Sequence, residues 1–235
     1  MSEAGSTVPF DFSSYGGEID DLATRGLADA AGAEGIRTAM ARVTGRAEEV
    51  QASRLSANEQ NLIACGPGCA DCCRVNVTVL LPEAIAIAAY LEEIGKGDET
   101  NAITMRVADT AARVRWMEDD ERIRAGVACP FLDGRGWCAI YPVRPLTCRA
   151  LSSTDPEQCR RALAAHCSDE EETIVVNIFQ KFLMEGTFRA LATAMERAGL
   201  DTTGRELCRS VTRCLLDPRL ADDFLDGKRI RFPES

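Results

Sequence analysis

The chain has a single histidine, His166, which rules out histidine-rich metal sites and any catalytic triad that needs a second imidazole. Positive charge is also scarce: 27 Lys and Arg stand against 37 Asp and Glu, giving a formal charge of -10 and a pI near 4.8. A field of that sign repels phosphate backbones and anionic headgroups, so no nucleic acid is expected as a partner. No run approaches the roughly 18 uninterrupted apolar residues of a membrane span. The most apolar stretch, residues 79–91, is interrupted by Pro82 and Glu83 and has the length of a buried helix, so no membrane is expected either. A glycine-rich nucleotide loop and an internal repeat are both missing. The opening residues, MSEAGSTVPF, hold no apolar segment of a secretory leader. The expected location is therefore the cytoplasm, where thiols stay reduced.

Cysteine, by contrast, is plentiful. Eight of the eleven cysteines fall between Cys65 and Cys159, in a tight block, Cys65, Cys69, Cys72 and Cys73, and a spaced one, Cys129, Cys138, Cys148 and Cys159. A chain of 235 residues can bury a core without covalent staples, and a reducing compartment disfavours a disulfide framework. Metal ligation is the remaining chemistry that needs so many thiols together. Sets made only of thiolate favour tetrahedral zinc or an iron-sulfur cluster and disfavour magnesium and calcium. Four cysteines complete one such site, and eight complete two or leave spare thiols at an open edge. Cys208 and Cys214, six residues apart on an expected helix, read as core cysteines.

The periodicity predicts a mainly α fold: a helical domain around an irregular, cysteine-rich metal-binding core with at most short strands. Residues 1–17, rich in Ser and Gly, read as a mobile N-terminal arm. Helices are expected over 20–31 and 34–63, the latter bent near Gly45, which makes 18–60 an N-terminal helical region. The metal-binding core is expected over 61–170. It holds a short strand within 74–80, a helix over 82–94 opened by Pro82, another over 99–124, an aperiodic segment over 126–153 and a helix over 156–166. C-terminal helices over 171–199 and 203–216, the second capped by Thr202 or Thr203, complete the region 171–235. The charge runs EEVQ, MEDDER and SDEEET read as solvated faces.

The first block, followed far downstream by Cys129-Pro130-Phe131-Leu132, Cys138-Ala139-Ile140-Tyr141, Arg144-Pro145 and Cys148-Arg149, resembles the YkgJ-type cysteine-cluster family over about residues 61–170. That family is described as a zinc- or iron-chelating domain and is related to flagellin lysine methylases. The resemblance implies a cysteine-ligated metal-binding protein with a 4Fe-4S type cluster or zinc. The expected ligands are the eight cysteines from Cys65 to Cys159, with Cys167 and His166 as additional candidates. Arg144, Arg149 and Tyr141 are candidates for contacts to the metal's surroundings or to a substrate, and the alternative for the arginines is pairing with Asp133 or a helix end. Phe131, Trp137 and Tyr141 are expected to form a dry shell.

Three functions fit these residues. One is a redox or protein-modifying enzyme similar to flagellin lysine methylase, acting on a protein substrate. Cys65, Cys69 and Cys72 also have the C-x3-C-x2-C spacing of S-adenosylmethionine radical enzymes, which would require a barrel. The others are a structural zinc module for a protein partner and a protein of metal sequestration or delivery.

Overall fold

A computed structural model of the chain describes residues 9–66, 68–95, 98–165 and 172–232. Helix α1, Phe12–Ala28, starts inside the segment expected as an arm. Asp11 caps it, accepting hydrogen bonds from the N–H groups of Ser13 (2.9 Å) and Ser14 (3.0 Å). Tyr15, Ile19, Ala23 and Leu27 form its buried stripe, while Ser13, Ser14 and Gly17 are exposed. The Ser/Gly composition therefore describes the outer face of a helix, and the apolar period was carried by only one residue per turn.

Helix α2, Gly32–Arg54, runs unbroken through Gly45. The expected helix over 34–63 ends at Leu55, because Ser56 and Glu59 make a reciprocal capping box that starts α3, Ala57–Leu62. Two residues of strand, β1 (Thr78–Val79), then lead into α4, Leu81–Ile94. This is the apolar run of the sequence, and nearly every residue from Leu81 to Leu91 is buried. Helix α5, Asp98–Val114, is separated from α6, Asp119–Arg124, where Glu121 reaches back to accept from the N–H of Glu118 and restarts the chain.

The aperiodic stretch contains only a 3-10 turn, Tyr141–Val143, and the short α7, Leu146–Ala150. Helix α8, Pro156–Ala165, follows, and α9, Ile178–Arg197, begins where Asn177 caps the N–H of Gln180. Strand β2, Arg205–Glu206, pairs antiparallel with β1, Thr78 opposite Glu206 and Val79 opposite Arg205. Glu206, not Thr202 or Thr203, caps α10, Leu207–Leu216, and α11, Leu220–Leu225, was not foreseen. The described residues are thus mainly α with one two-stranded sheet, as expected. None of the described helices is long and apolar enough to cross a membrane.

Helix α4 is the axis of the packing. On one side Leu81, Ile85 and Ala86 join α1, α2, α9 and α11 in a large apolar cluster. On the other, Ala84, Ile87 and Leu91 meet α5 and α10, with Phe131 and Ile140 from the aperiodic segment. Burying each such side chain contributes about 1.5–3 kcal/mol. Phe131 and Ile140 thereby anchor a segment that has little secondary structure of its own.

Candidate metal centre

Backbone hydrogen bonds bring the two cysteine blocks together. The N–H of Ala64 donates to the carbonyl of Ser153 (2.8 Å), and the N–H of Ser153 donates to Cys65 Sγ (3.1 Å). From Ala70 to Val75 the chain makes successive tight turns, Cys73 N–H to Ala70 O (3.1 Å) and Val75 N–H to Cys72 O (3.4 Å), so the adjacent cysteines lie in neither helix nor strand. The N–H of Cys129 then reaches the carbonyl of Cys73 (2.7 Å). A small hairpin sets Cys138 beside Cys129 through Asp133 N–H to Trp137 O (2.9 Å) and Ala139 N–H to Phe131 O (2.8 Å).

Two glycines allow the closest crossing. Gly68 (φ 90°) and Gly136 (φ 80°) both occupy left-handed backbone, and a Cβ on Gly136 would lie 3.4 Å from the Gly68 carbonyl. Cys148 is placed differently, by a buried acid. Glu83 accepts from the N–H of Leu80 and from the N–H of Leu146, each at 2.8 Å, so one carboxylate caps the starts of both α4 and α7.

The result is a cavity of about 90 Å³, room for several waters, lined by Cys65, Cys69, Cys72, Cys73, Cys129, Cys138 and Cys148. Its other walls include Val75, Val77, Ile140 and Leu207, with Arg122, Tyr141 and Arg144. Cys159, on α8, is not among the lining residues, yet its charge acts on both Cys65 and Cys69. His166 and Cys167 lie outside the described residues. Cys208 is fully buried in the second apolar cluster, Cys214 packs against both clusters, and neither reaches the cavity.

Burial favours the protonated thiol at Cys65, Cys69, Cys129, Cys138 and Cys148. It pushes Cys65 up to about 11 and Cys129 up to about 12, and neighbouring sulfurs push in the same direction. Cys69, Cys138 and Cys148 are raised chiefly by burial, and Cys72 first by the hydrogen bond its thiol donates to Cys73 and then by burial. So many thiolates can coexist here only beside a cation that lowers their proton affinity. Among the described residues, no three Cys, Asp or Glu side chains already stand at the separations of a finished metal site. The sulfurs face a shared space and are not drawn onto one point.

The arginines divide by what they touch. Arg149 donates from Nε to Arg144 O (2.8 Å) and from Nη2 to Pro142 O (2.9 Å), and pairs through Nη1 with Glu48. It lies outside the cavity and its donors are committed to the framework. Its acidic partner comes from the EEVQ run, not from Asp133, which instead caps the hairpin turn at the N–H groups of Arg135 and Trp137. Arg144 stacks on Tyr141 at 4.3 Å from the ring centre, lines the cavity, and has a buried Nε with no hydrogen-bond partner. That donor fits a sulfur ligand sphere, in which thiolate and sulfide accept hydrogen bonds.

Arg122 was not expected at the site. It comes from the MEDDER run but is only 2% exposed, and it donates to Val127 O (3.2 Å), Asn76 Oδ1 (3.1 Å) and Glu206 Oε1 (3.4 Å). Its charge favours the Cys129 thiolate. Of the expected dry shell, Phe131 is buried, but Trp137 is 53% exposed and stands at the rim beside Gly68.

A family profile, CxxCxxCC, described as "Putative zinc- or iron-chelating domain", matches residues 64–173. The match agrees with the cysteine-cluster resemblance over residues 64–173. The boundaries of the matched segment enclose every cavity-lining cysteine and Cys159, and they begin at Ala64, whose N–H ties the first block to Ser153. The first gap in this chain is three residues, one longer than the family's name spells. Arg122 and Phe131 lie within the matched segment, while Leu207 reaches the cavity from outside it. No curated protein and no solved structure matches the chain.

Proposed function

We propose that the chain is an iron-sulfur protein of the 4Fe-4S class that works in a redox step. The observation that carries this reading is the space between the sulfurs: seven cysteines from both blocks surround a cavity of about 90 Å³. Zinc bonded to four thiolates at about 2.3 Å draws its sulfurs nearly into mutual contact and needs no such space. A cluster carries its own sulfides and holds the cysteines apart. When bound, it would supply one-electron chemistry at a potential set by hydrogen bonds to its sulfurs and by solvent access.

The residues of the chain would prepare the site for that centre. Val75, Val77, Ile140 and Leu207 limit water, and Arg122 and Arg144 offset the negative charge of the thiolates. Arg144 Nε has an unused proton to donate to a sulfur. Cys65 and Arg144 also line a shallower pocket with Glu48, Gln51 and Gln60, which gives the cavity a polar side facing outward. A protein substrate or an electron partner would approach there.

Zinc is the second reading, and the donor chemistry of thiolate alone favours it equally well. Anaerobic purification with iron, sulfide and zinc analysis tests the two. A brown, oxygen-labile protein with iron and acid-labile sulfide supports the cluster. A colourless, zinc-replete protein that takes up no cluster under reducing reconstitution overturns it.

A further inference from the structure

The two cysteine blocks of the sequence are not the two groups that the backbone makes. We propose that the cavity and its border hold two adjoining four-sulfur sites that cross the blocks: Cys65, Cys69, Cys72 and Cys159 in one, and Cys73, Cys129, Cys138 and Cys148 in the other. This rests on the reading of the cavity as a metal centre, and it assigns ligands within it.

The first group is assembled by a turn. Ser153 holds Cys65 through its N–H, and its hydroxyl accepts from Asp155 N–H (3.1 Å) and donates to Asp155 O (2.9 Å). The Asp155 carboxylate in turn accepts from Glu157 N–H (2.9 Å), fixing the first turn of α8. Cys159 comes one turn into that helix, on the side of the first block, where its charge is felt by Cys65 and Cys69. The same two sulfurs feel Cys72. A residue that the sequence places last in the second block therefore belongs in space with the first.

The second group is assembled by the hairpin. Cys129 N–H on Cys73 O brings the end of the first block to the start of the second, and the bridge between Leu132 and Cys138 returns Cys138 to the same place. Glu83 sets the start of α7, so that Cys148 completes the group. The sulfurs whose charge acts on Cys148 are those of Cys129, Cys72 and Cys138, with Arg144 acting in the opposite sense. Cys72 therefore stands at the seam, next to Cys73 and within the field of both groups. Four thiolates around zinc or around a 4Fe-4S core are the ordinary complement of each centre, and eight give two.

The test is stoichiometry, read without any activity. Full-length chain freed of metal under reductant is titrated with zinc and counted by native mass spectrometry, and the same chain is reconstituted anaerobically with iron and sulfide. We expect two zinc ions per chain, or eight irons. Cys159→Ser and Cys138→Ser should each keep one zinc, and the retained ion shows that the variant is folded. The double variant should keep none. One zinc and four irons per unaltered chain, or two zincs retained in Cys159→Ser, would overturn the two-site assignment while leaving a metal centre in place. A chain that takes up neither zinc nor iron would overturn the metal reading itself.

Discussion

The N–H of Cys129 donates to the carbonyl of Cys73 across 2.7 Å, joining residues 56 positions apart in the chain. Through this bond the tight first block and the spaced second block face one cavity. Of the helices between them in sequence, α4 and α5 pack in the second apolar cluster, and α6 brings Arg122 to the cavity wall.

Ligand and core cysteines should separate by substitution. Cys72→Ser and Cys148→Ser are expected to lower metal content per chain, since both sulfurs line the cavity. Cys208→Ser should leave metal content unchanged and cost about 1–2 kcal/mol of stability, because it buries a hydroxyl among apolar neighbours. Metal analysis and thermal melts of the three variants check this, and metal loss from Cys208→Ser would break the partition.

Arg144 should matter through its charge and its donor. Arg144→Gln is expected to weaken metal binding by roughly 10- to 150-fold, in line with roughly 1.5–3 kcal/mol for a charge-assisted hydrogen bond, and Arg144→Lys should recover part of it. In an iron-loaded protein the Gln variant should also have a more negative reduction potential, since removing a positive charge favours the oxidised centre. Competition titration and potentiometry give the two readouts.

Metal binding should release protons and weaken in acid. Cys65 is pushed up to about 11 and Cys129 up to about 12, so these thiols are protonated at pH 7 and each must lose its proton to a metal. Affinity is expected to fall steeply from pH 8 to pH 6, with nearly one proton released per cysteine bound. An indicator-dye titration counts those protons.

Glu83 gives stability a slope of definite sign. Burial raises it from 4.5 to about 7, against the lowering effect of the Leu146 and Leu80 N–H groups and of Arg149. The folded chain thus holds an extra proton between these values. Its contribution is full below about pH 4.5 and is lost as pH rises through 7, by roughly 3 kcal/mol at about 1.4 kcal/mol per unit. Denaturant unfolding of metal-free chain should show this decline, and Glu83→Gln should flatten it relative to the unaltered protein.

Much of this arrangement can be read from the residues alone. The buried helix over residues 79–91, the aperiodic segment and the gathering of cysteines around a cavity follow from apolar period, Gly/Pro content and cysteine spacing. The helix breaks at Leu55 and before Glu118 depend on Glu59 and Glu121 accepting from the N–H groups of Ser56 and Glu118, and these acids look like any other surface charge. Arg122 is hidden for the same reason: five charged residues of MEDDER read as a solvated face, and only the fold shows that one of them turns inward onto Asn76 and Val127. Cys159 and Cys73 illustrate a different limit. Their neighbours are set by the Ser153 turn and by the Cys129 bond, which are contacts between segments about 50 to 90 residues apart and leave no periodic trace.

The central claim is that cysteines of both blocks hold metal together around one cavity. It is tested most directly by alkylating the anaerobically purified chain before and after metal removal, with mass spectrometry at each cysteine. The account predicts that Cys69 and Cys72 in the first block and Cys138 and Cys148 in the second are protected together and become reactive together, while Cys208 stays protected throughout. Exposure of one block alone, or cysteines equally reactive in both states, would contradict it.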